Sequence, residues 1–340
     1  MELLTVGTSK SYPIKITRGK NDLLSFVTPY LKGKKVAIVT DDNVDELYYN
    51  YLDQLASDFE LVKCVLPHGE ENKNADNFIA IVNFLAENNF TRKDTVITFG
   101  GGVVGDIGAL VASTYMRGIN LVAIPTTLLS MVDSSVGGKT AVDLPSGKNL
   151  LGTFYQPNAV YIDLDFINSL PKRERISGYG EVIKYAFLSS DITKEKISSL
   201  NEELIKSCLE IKKDIVEKDE KESNLRKLLN LGHTVGHAIE SLSNYKLSHG
   251  ECVLKGIKYV IDMSKKVFNL SQETLSNMNE LLEINGKIEK SKFTSKQLVE
   301  KIKSDKKSDG DGVDMVLLKN IGEPEIIHLS FEKIEELLEK

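Results

Sequence analysis

The sequence predicts an α/β chain in two parts: a Rossmann-like domain with a parallel sheet over residues 1–172, then a mainly α-helical domain over residues 173–340. Three observations predict it. In the first half, short β-rich runs alternate with helical stretches, the pattern of parallel strands joined by crossover helices. After Pro171 the character changes to long helical segments laced with Lys and Glu. At 340 residues, the chain is also long enough for two cores.

In chain order, the expected strands are KVAIVT at 35–40, ELVKCVL at 60–66, TVITFG at 95–100, LVAIPTT at 121–127 and AVYIDL at 159–164. The stretch from Asn74 to Phe90 has apolar residues at helical spacing and supplies one crossover. In the second half, helical patterns cover 192–222, 251–290 and 295–304. The run SDKKSDGDG at 304–312 reads as a mobile polar loop, and IIHLSFEKIEELLEK as a short strand with a closing helix. His328 there has no neighbour in sequence to work with and reads as a structural or surface histidine. A net charge of −6 and a pI near 5.6 argue against a nucleic-acid binder. No apolar run is long enough to span a bilayer, and MELLTVGTSK lacks the layout of a signal peptide, so a cytoplasmic location is expected. Three widely spaced cysteines, Cys64, Cys208 and Cys252, fit free thiols in a reducing compartment.

The densest chemical signal lies between Asn230 and Glu251, where NLGHTVGHAIE and SHGE place three of the five histidines: His233, His237 and His249. A helix would put His233 and His237 on one face, and His249 can return after the Asn244-Tyr245 turn, so the cluster suggests a divalent metal site. Spacing does not decide which histidines would ligate. Arg226, Asn230, His233, His237 and Glu240 follow at intervals of four, three, four and three, so one helix would present all five as a polar stripe opposite Leu228, Leu229, Leu231, Val235, Ile239 and Leu242. A stripe facing solvent would normally be Lys and Glu, whereas Arg, Asn and His make directional hydrogen bonds.

A second signal is GGVVGDIGALVAS, where Gly100, Gly102 and Gly105 satisfy G-x-G-x-x-G between a strand and a helix. Such glycines let the backbone approach a pyrophosphate at a helix N-terminus. Alone the motif is weak, and no acidic residue lies between Ile107 and Val132 to hold a ribose. Asp41 and Asn43 of TDDN, at a strand end, could hold the adenosine hydroxyls, though the same residue types serve equally as helix N-caps. PHGEENK adds Glu70 and Lys73 near another strand end. The passage from Ile124 to Pro157 carries Asp133, Lys139, Lys148 and Asn149 among glycines in a segment otherwise poor in charge, which favours anion binding. SGYGEVIKYAF places Glu181 and Lys184 one helical turn apart in apolar surroundings, where the pair reads as a ligand and a phosphate contact rather than a solvated ion pair.

With GGGVVGD at 100–106, IPTTLLSMVDSSVGGKTAVD at 124–143, GKN at 147–149, GEVIKY at 180–185, the Arg226 to Glu240 segment and SHGE at 248–251, the chain resembles the 3-dehydroquinate synthases of the sugar phosphate cyclases over essentially its whole length. The resemblance implies zinc or cobalt on Glu181, His233 and His249, with His237 facing substrate. It implies NAD held by Asp41, Asn43, Glu70, Lys73, Gly101, Gly102, Val103, Gly105, Asp106, Thr126, Thr127, Lys139, Lys148 and the segment from Phe166 to Ser169. Substrate contacts would fall to Asp133, Lys139, Lys148, Asn149, Lys184, Lys212, Arg226, Asn230 and His237, joined by one lysine of Lys306-Lys307 and, across a homodimer, by Arg117. Departures from the pattern are His68 before Gly69 and Gly180 where alanine is frequent. The implied reaction converts 3-deoxy-D-arabino-heptulosonate 7-phosphate to 3-dehydroquinate and phosphate in the shikimate pathway. Its rivals are another sugar phosphate cyclase, a metal-dependent polyol dehydrogenase on the same fold, and a catalytically dead binding protein.

Overall fold

A computed structural model describes residues 2–305 and 310–339, so Lys306, Lys307 and the centre of the 304–312 loop lie outside the described residues. The chain divides into two compact units, Met1–Leu170 and Pro171–Lys340.

The first unit contains β1 (Glu2–Gly7), β2 (Ser11–Thr17), α1 (Leu23–Val27), β3 (Lys35–Asp41), α2 (Asp42–Tyr48), β4 (Glu60–Leu66), α3 (Ala75–Glu87), β5 (Thr95–Gly100), α4 (Gly102–Thr114), β6 (Asn120–Pro125), β7 (Lys139–Leu144), β8 (Gly147–Phe154), β9 (Ala159–Asp163) and α5 (Phe166–Ser169). All five expected strands are present. Together with β2 they form the parallel part of a seven-stranded sheet of order β1-β2-β9-β6-β5-β3-β4. Four strands of this unit were not foreseen, β1, β2, β7 and β8. β1 and β2 make an antiparallel edge, and Pro13, which lacks an N–H, lies just before the parallel pairing of β2 with β9 begins at Ile14. A further difference is that the glycine-rich passage after β6 is not a simple loop: after a π-helical turn at Ser130–Ser134 it folds into the β7–β8 hairpin.

Sheet order places the ligand loops. Numbered from β3, the five expected strands run 2-1-3-4-5, so the switch point lies between β3 and β5. Ligands of open α/β sheets bind outside the carboxyl ends of the strands at this point. TDDN ends β3 and the glycine loop ends β5, so the loop's position late in the chain still puts it at the switch. Beneath it, Ile81 and Leu85 of α3 and Ile107, Leu110 and Val111 of α4 pack with Val39 and Val96 in one apolar core.

The second unit contains α6 (Lys172–Leu188), α7 (Lys194–Ser199), α8 (Glu202–Lys218), α9 (His233–Leu242), α10 (His249–Phe268), α11 (Gln272–Leu282), α12 (Ser295–Asp305), β10 (Gly312–Asn320), β11 (Glu323–Ser330) and α13 (Phe331–Leu338). Two of the expected helical segments are interrupted, 192–222 by Leu200 at φ 39° between α7 and α8 and 251–290 by Asn269 at φ 52° after α10, while α12 runs unbroken through 295–304. The larger correction concerns the polar stripe. Leu225–Asn230 forms a separate 3₁₀ turn, Gly232 stands at φ 75°, and only then does α9 begin at His233. Arg226 and Asn230 therefore do not share a helical face with His233, His237 and Glu240, because a left-handed glycine restarts the helix between them. The terminal strand β11 pairs with β10, which was not foreseen, and this gives His328 a cross-strand partner: its Nδ1 lies 2.9 Å from Asp314 Oδ1. Among the described residues no helix is long and apolar enough to cross a membrane, and none of Cys64, Cys208 and Cys252 is in a disulfide.

Candidate functional site

Three helices of the second unit meet through glycines. A Cβ on Gly250 of α10 would lie 1.9 Å from the Ser177 carbonyl oxygen of α6, and one on Gly180 would lie 2.5 Å from Gly250 Cα. A Cβ on Gly256 would lie 1.9 Å from the Gly232 carbonyl oxygen at the start of α9. Only glycine allows backbones this close. The candidate ligands are chain neighbours of these contacts, since Glu181 follows Gly180, His233 follows Gly232 and His249 precedes Gly250. Close helix packing thus brings together three side chains that are far apart in sequence. It also explains Gly180, where a methyl group would press on the α10 backbone.

The geometry converges on one carboxylate oxygen. Glu181 Oε1 is 2.9 Å from His249 Nε2 and 3.3 Å from His233 Nε2, while Glu181 Oε2 is 2.6 Å from Lys184 Nζ. Burial alone would raise the Glu181 carboxyl, but Lys184 and the two imidazoles outweigh it and hold it well below the usual carboxylate range. For His249 burial would lower the imidazole, and Glu181 and Glu240 together raise it instead. One ligand atom from each of Glu181, His233 and His249 lies within 4.8 Å of the other two. Two imidazole nitrogens and a carboxylate oxygen are the donor set of a catalytic zinc or cobalt site with a position left for substrate, so the residues fit a divalent ion. A second group, His237, Glu240 and His249, shares one member. His237 is exposed, one turn beyond His233, with its ring centre 5.3 Å from that of His233.

Among its described residues the unit also buries Lys184, Lys212 and Arg226. Arg226 sits on a loop organised by Asp219, whose carboxylate accepts from the backbone N–H groups of Ser223, Asn224 and Arg226 at 2.7–3.0 Å. Those hydrogen bonds hold the Asp219 carboxyl below its ordinary value. The Arg226 guanidinium in turn donates to the Glu220 carbonyl, and Asn230 Nδ2 donates to Glu222 Oε1 at 2.8 Å.

In the first unit, Gly101 and Gly102 open α4, whose first turn carries no acidic side chain, leaving a helix N-terminus suited to an anion. A Cβ on Gly101 would meet Thr127 Cγ2 at 2.9 Å, so the glycine turn and Thr126-Thr127 are adjacent. A cavity beside them is lined by Gly100, Gly101, Gly105, Asp106, Ser134 and Lys139. Val103 and Asp106 are half-buried in the opening turns of α4, and Asp133 is half-buried in the π-helical turn.

Lys73, buried, bridges Asp106 Oδ2 at 2.5 Å and Asn149 Oδ1 at 2.7 Å. Burial would lower its ammonium pKa, but Asp106 and Glu70 outweigh this and raise it. Asn149, left-handed at φ 55°, donates its backbone N–H to Asp143 Oδ1 at 2.7 Å, and the Asp143 N–H returns to the Lys73 carbonyl at 2.8 Å. Lys148 Nζ pairs with Glu70 Oε1 at 3.0 Å.

Asp41 does act as an N-cap, accepting from Val44 N–H at 3.0 Å, while Asn43 stays exposed beside it. Asp42 ties this loop to the next by accepting from His68 N–H at 2.9 Å. The Phe166 ring is buried against Tyr48, Tyr51 and Phe99, and the hydroxyl of exposed Ser169 donates to the Phe166 carbonyl at 3.1 Å. Arg117 is exposed at φ 67°. Sequence reasoning assigned no role to Asp143 or Asp219, and took Glu240 only as a member of the polar stripe. Asp219 carried a usable signal, since an Asp shortly before Ser-Asn is a common turn former; Asp143 carried none, because its partners are 70 residues upstream and six downstream.

Comparison with known proteins follows the same division. A family model described as 3-dehydroquinate synthase N-terminal matches residues 63–177, and one described as 3-dehydroquinate synthase C-terminal matches residues 178–308. The chain is 40% identical over 329 residues to the 3-dehydroquinate synthase of Clostridium acetobutylicum, covering 92% of each chain. It is 38% identical to that of Alkaliphilus metalliredigens over 99% of this chain and 98% of the relative. Among solved structures, 2-deoxy-scyllo-inosose synthase complexed with carbaglucose-6-phosphate, NAD+ and Co2+ superposes with a TM-score of 0.89 at 22% identity over 99% of both chains, which establishes the shared fold. With matching models over both units and relatives near 40% identity along almost the whole length, the chain belongs to the 3-dehydroquinate synthase family.

Proposed function

We propose that this chain converts 3-deoxy-D-arabino-heptulosonate 7-phosphate to 3-dehydroquinate and phosphate, using NAD and one divalent ion. The observation that carries the reading is the buried convergence of His233 Nε2 and His249 Nε2 on Glu181 Oε1, in a chain of this family. Glu181, His233 and His249 would hold the ion, and the α4 N-terminus with Gly101, Gly102, Val103, Gly105, Thr126, Thr127, Asp41, Asn43, Glu70, Lys73 and Ser169 would hold the dinucleotide. When bound, the ion would supply Lewis acidity toward a substrate hydroxyl and NAD a hydride acceptor restored within each turnover.

The protein's own groups do the rest. Exposed His237 would accept and return a hydroxyl proton. Lys184, Lys212 and Arg226 meet carboxylate, phosphate and hydroxyl oxygens from positions already desolvated, so little reorganisation accompanies charge recognition. Lys139, Lys148, Asn149 and Asp133 complete the polar contacts. Oxidation beside the carbon that loses its proton makes elimination of phosphate easier, so the cations need only hold the leaving group. Confinement then favours one ring closure.

The reading includes a cytoplasmic homodimer in which exposed Arg117 serves the partner's site. Mixing inactive Arg117→Ala and Lys184→Ala proteins then regenerates activity after subunit exchange. The function itself is tested by incubating the protein with the heptulosonate phosphate and substoichiometric NAD. Phosphate and 3-dehydroquinate should accumulate far beyond the NAD present with no net NADH, whereas NADH formed in step with product would identify a dehydrogenase.

A further inference from the structure

Each imidazole near Glu181 offers two nitrogens, and the structure presents the same one from both rings. His233 Nε2 and His249 Nε2 face Glu181 Oε1. The opposite nitrogen of His233, Nδ1, lies 3.0 Å from the Leu231 carbonyl oxygen, and that of His249 lies 3.5 Å from Glu240 Oε2. An acceptor behind each ring favours the tautomer with its hydrogen on Nδ1 and a lone pair on Nε2. A metal ligand needs this state, and an acceptor behind a ligating histidine both orients the ring and increases its basicity. Leu231 supplies its acceptor from the backbone. Glu240 supplies one from a side chain that is only 6% exposed, at the far end of α9 from His233.

We propose that Glu240 is a positioning residue for the divalent ion: it fixes His249 through Nδ1 without itself ligating. The inference rests on the reading of Glu181, His233 and His249 as the ligands. The rival use of the same side chain is direct ligation in the group of His237, Glu240 and His249. The two uses compete for Glu240 and predict different losses.

Full-length protein stripped with a chelator is titrated with Co(II) and with Zn(II) against a chromophoric competitor, for the wild type and for Glu240→Ala, Glu240→Gln and Glu181→Ala. Glu240→Ala should bind both ions about 10–100-fold more weakly than the wild type while keeping one cobalt absorption spectrum per chain. Glu240→Gln should lose less, because its amide oxygen still accepts from Nδ1. Should Glu240→Ala fail to fold, the glutamine variant decides by weaker binding or none. Unchanged affinity in the Glu240 variants, with binding lost in Glu181→Ala, overturns this inference alone. A loss in Glu240→Ala as complete as in Glu181→Ala makes Glu240 a ligand and also overturns it. Wild-type binding by Glu181→Ala overturns the ligand reading and this inference with it.

Discussion

The two units build their candidate sites in opposite ways. In the first, the side chains are carried on short turns and helix starts after the strands and on the β7–β8 hairpin, and many are exposed, among them Asn43, Glu70, Lys139, Asn149 and Arg117. In the second, Glu181, Lys184, Lys212, Arg226 and His233 are buried on helices and a tight turn, and backbone contacts at glycine set the approach of the helices that carry Glu181, His233 and His249. A loop charge can change alone and is screened by water, whereas a buried charge has neighbours that cannot relax when it goes. Substitutions should therefore be graded by unit.

Arg226→Ala gives the largest expected effect. Removing a buried cation from a hydrogen-bonded site should cost about 2–4 kcal/mol of transition-state stabilisation, read from kcat/KM. Gly250→Ala comes next, since its methyl group would overlap the Ser177 carbonyl. Overpacking of this kind costs about 1–3 kcal/mol of stability, measured by denaturant unfolding, and should weaken metal binding in the folded protein by parting Glu181 from His249. If Gly250→Ala binds Co(II) as the wild type does, close packing is not what sets the ligand spacing. Lys148→Ala should cost less than Arg226→Ala, about 1 kcal/mol or under, because its ammonium is partly exposed and already paired with Glu70. A loss equal to that of Arg226→Ala would break the contrast between the units.

The smallest effect is one of pH. Asp219 has a folded-state carboxyl held below its ordinary value of 3.8 by backbone donors, so its contribution is present above that pH and is lost as the pH falls through the folded value. Asp219→Asn lacks this titration. The Tm difference between wild type and variant should be constant from about pH 7 to 5 and should narrow below about pH 4. A gap independent of pH would show that the loop carrying Arg226 does not depend on the ionised carboxylate.

The same contrast explains what could be read from the sequence. β3, β4, β5, β6 and β9 and the glycine loop were legible because a strand followed by a glycine turn and a helix is encoded within a dozen residues. The helical domain and the histidine cluster were legible as composition and spacing. What spacing could not show is that Gly232 adopts a left-handed conformation, so the stripe from Arg226 to Glu240 reads as one helix when it is two elements. Nor could it show that Glu181 comes within 2.9 Å of His249, 68 residues away, because that distance follows from Gly180 meeting Gly250. β1, β2 and β10 escaped notice because edge and terminal strands carry weak alternation, and β1 includes no buried residue beyond Val6 among its described side chains.

The central claim is that the buried convergence of Glu181, His233 and His249 is a divalent metal site on which turnover depends. It is tested most directly by stripping the protein with a chelator and following phosphate release from the heptulosonate phosphate while zinc or cobalt is returned in known amounts. Activity should vanish on stripping and recover in proportion to metal, with a break at one ion per chain. A preparation shown by elemental analysis to be metal-free, yet turning over at the untreated rate, would contradict it.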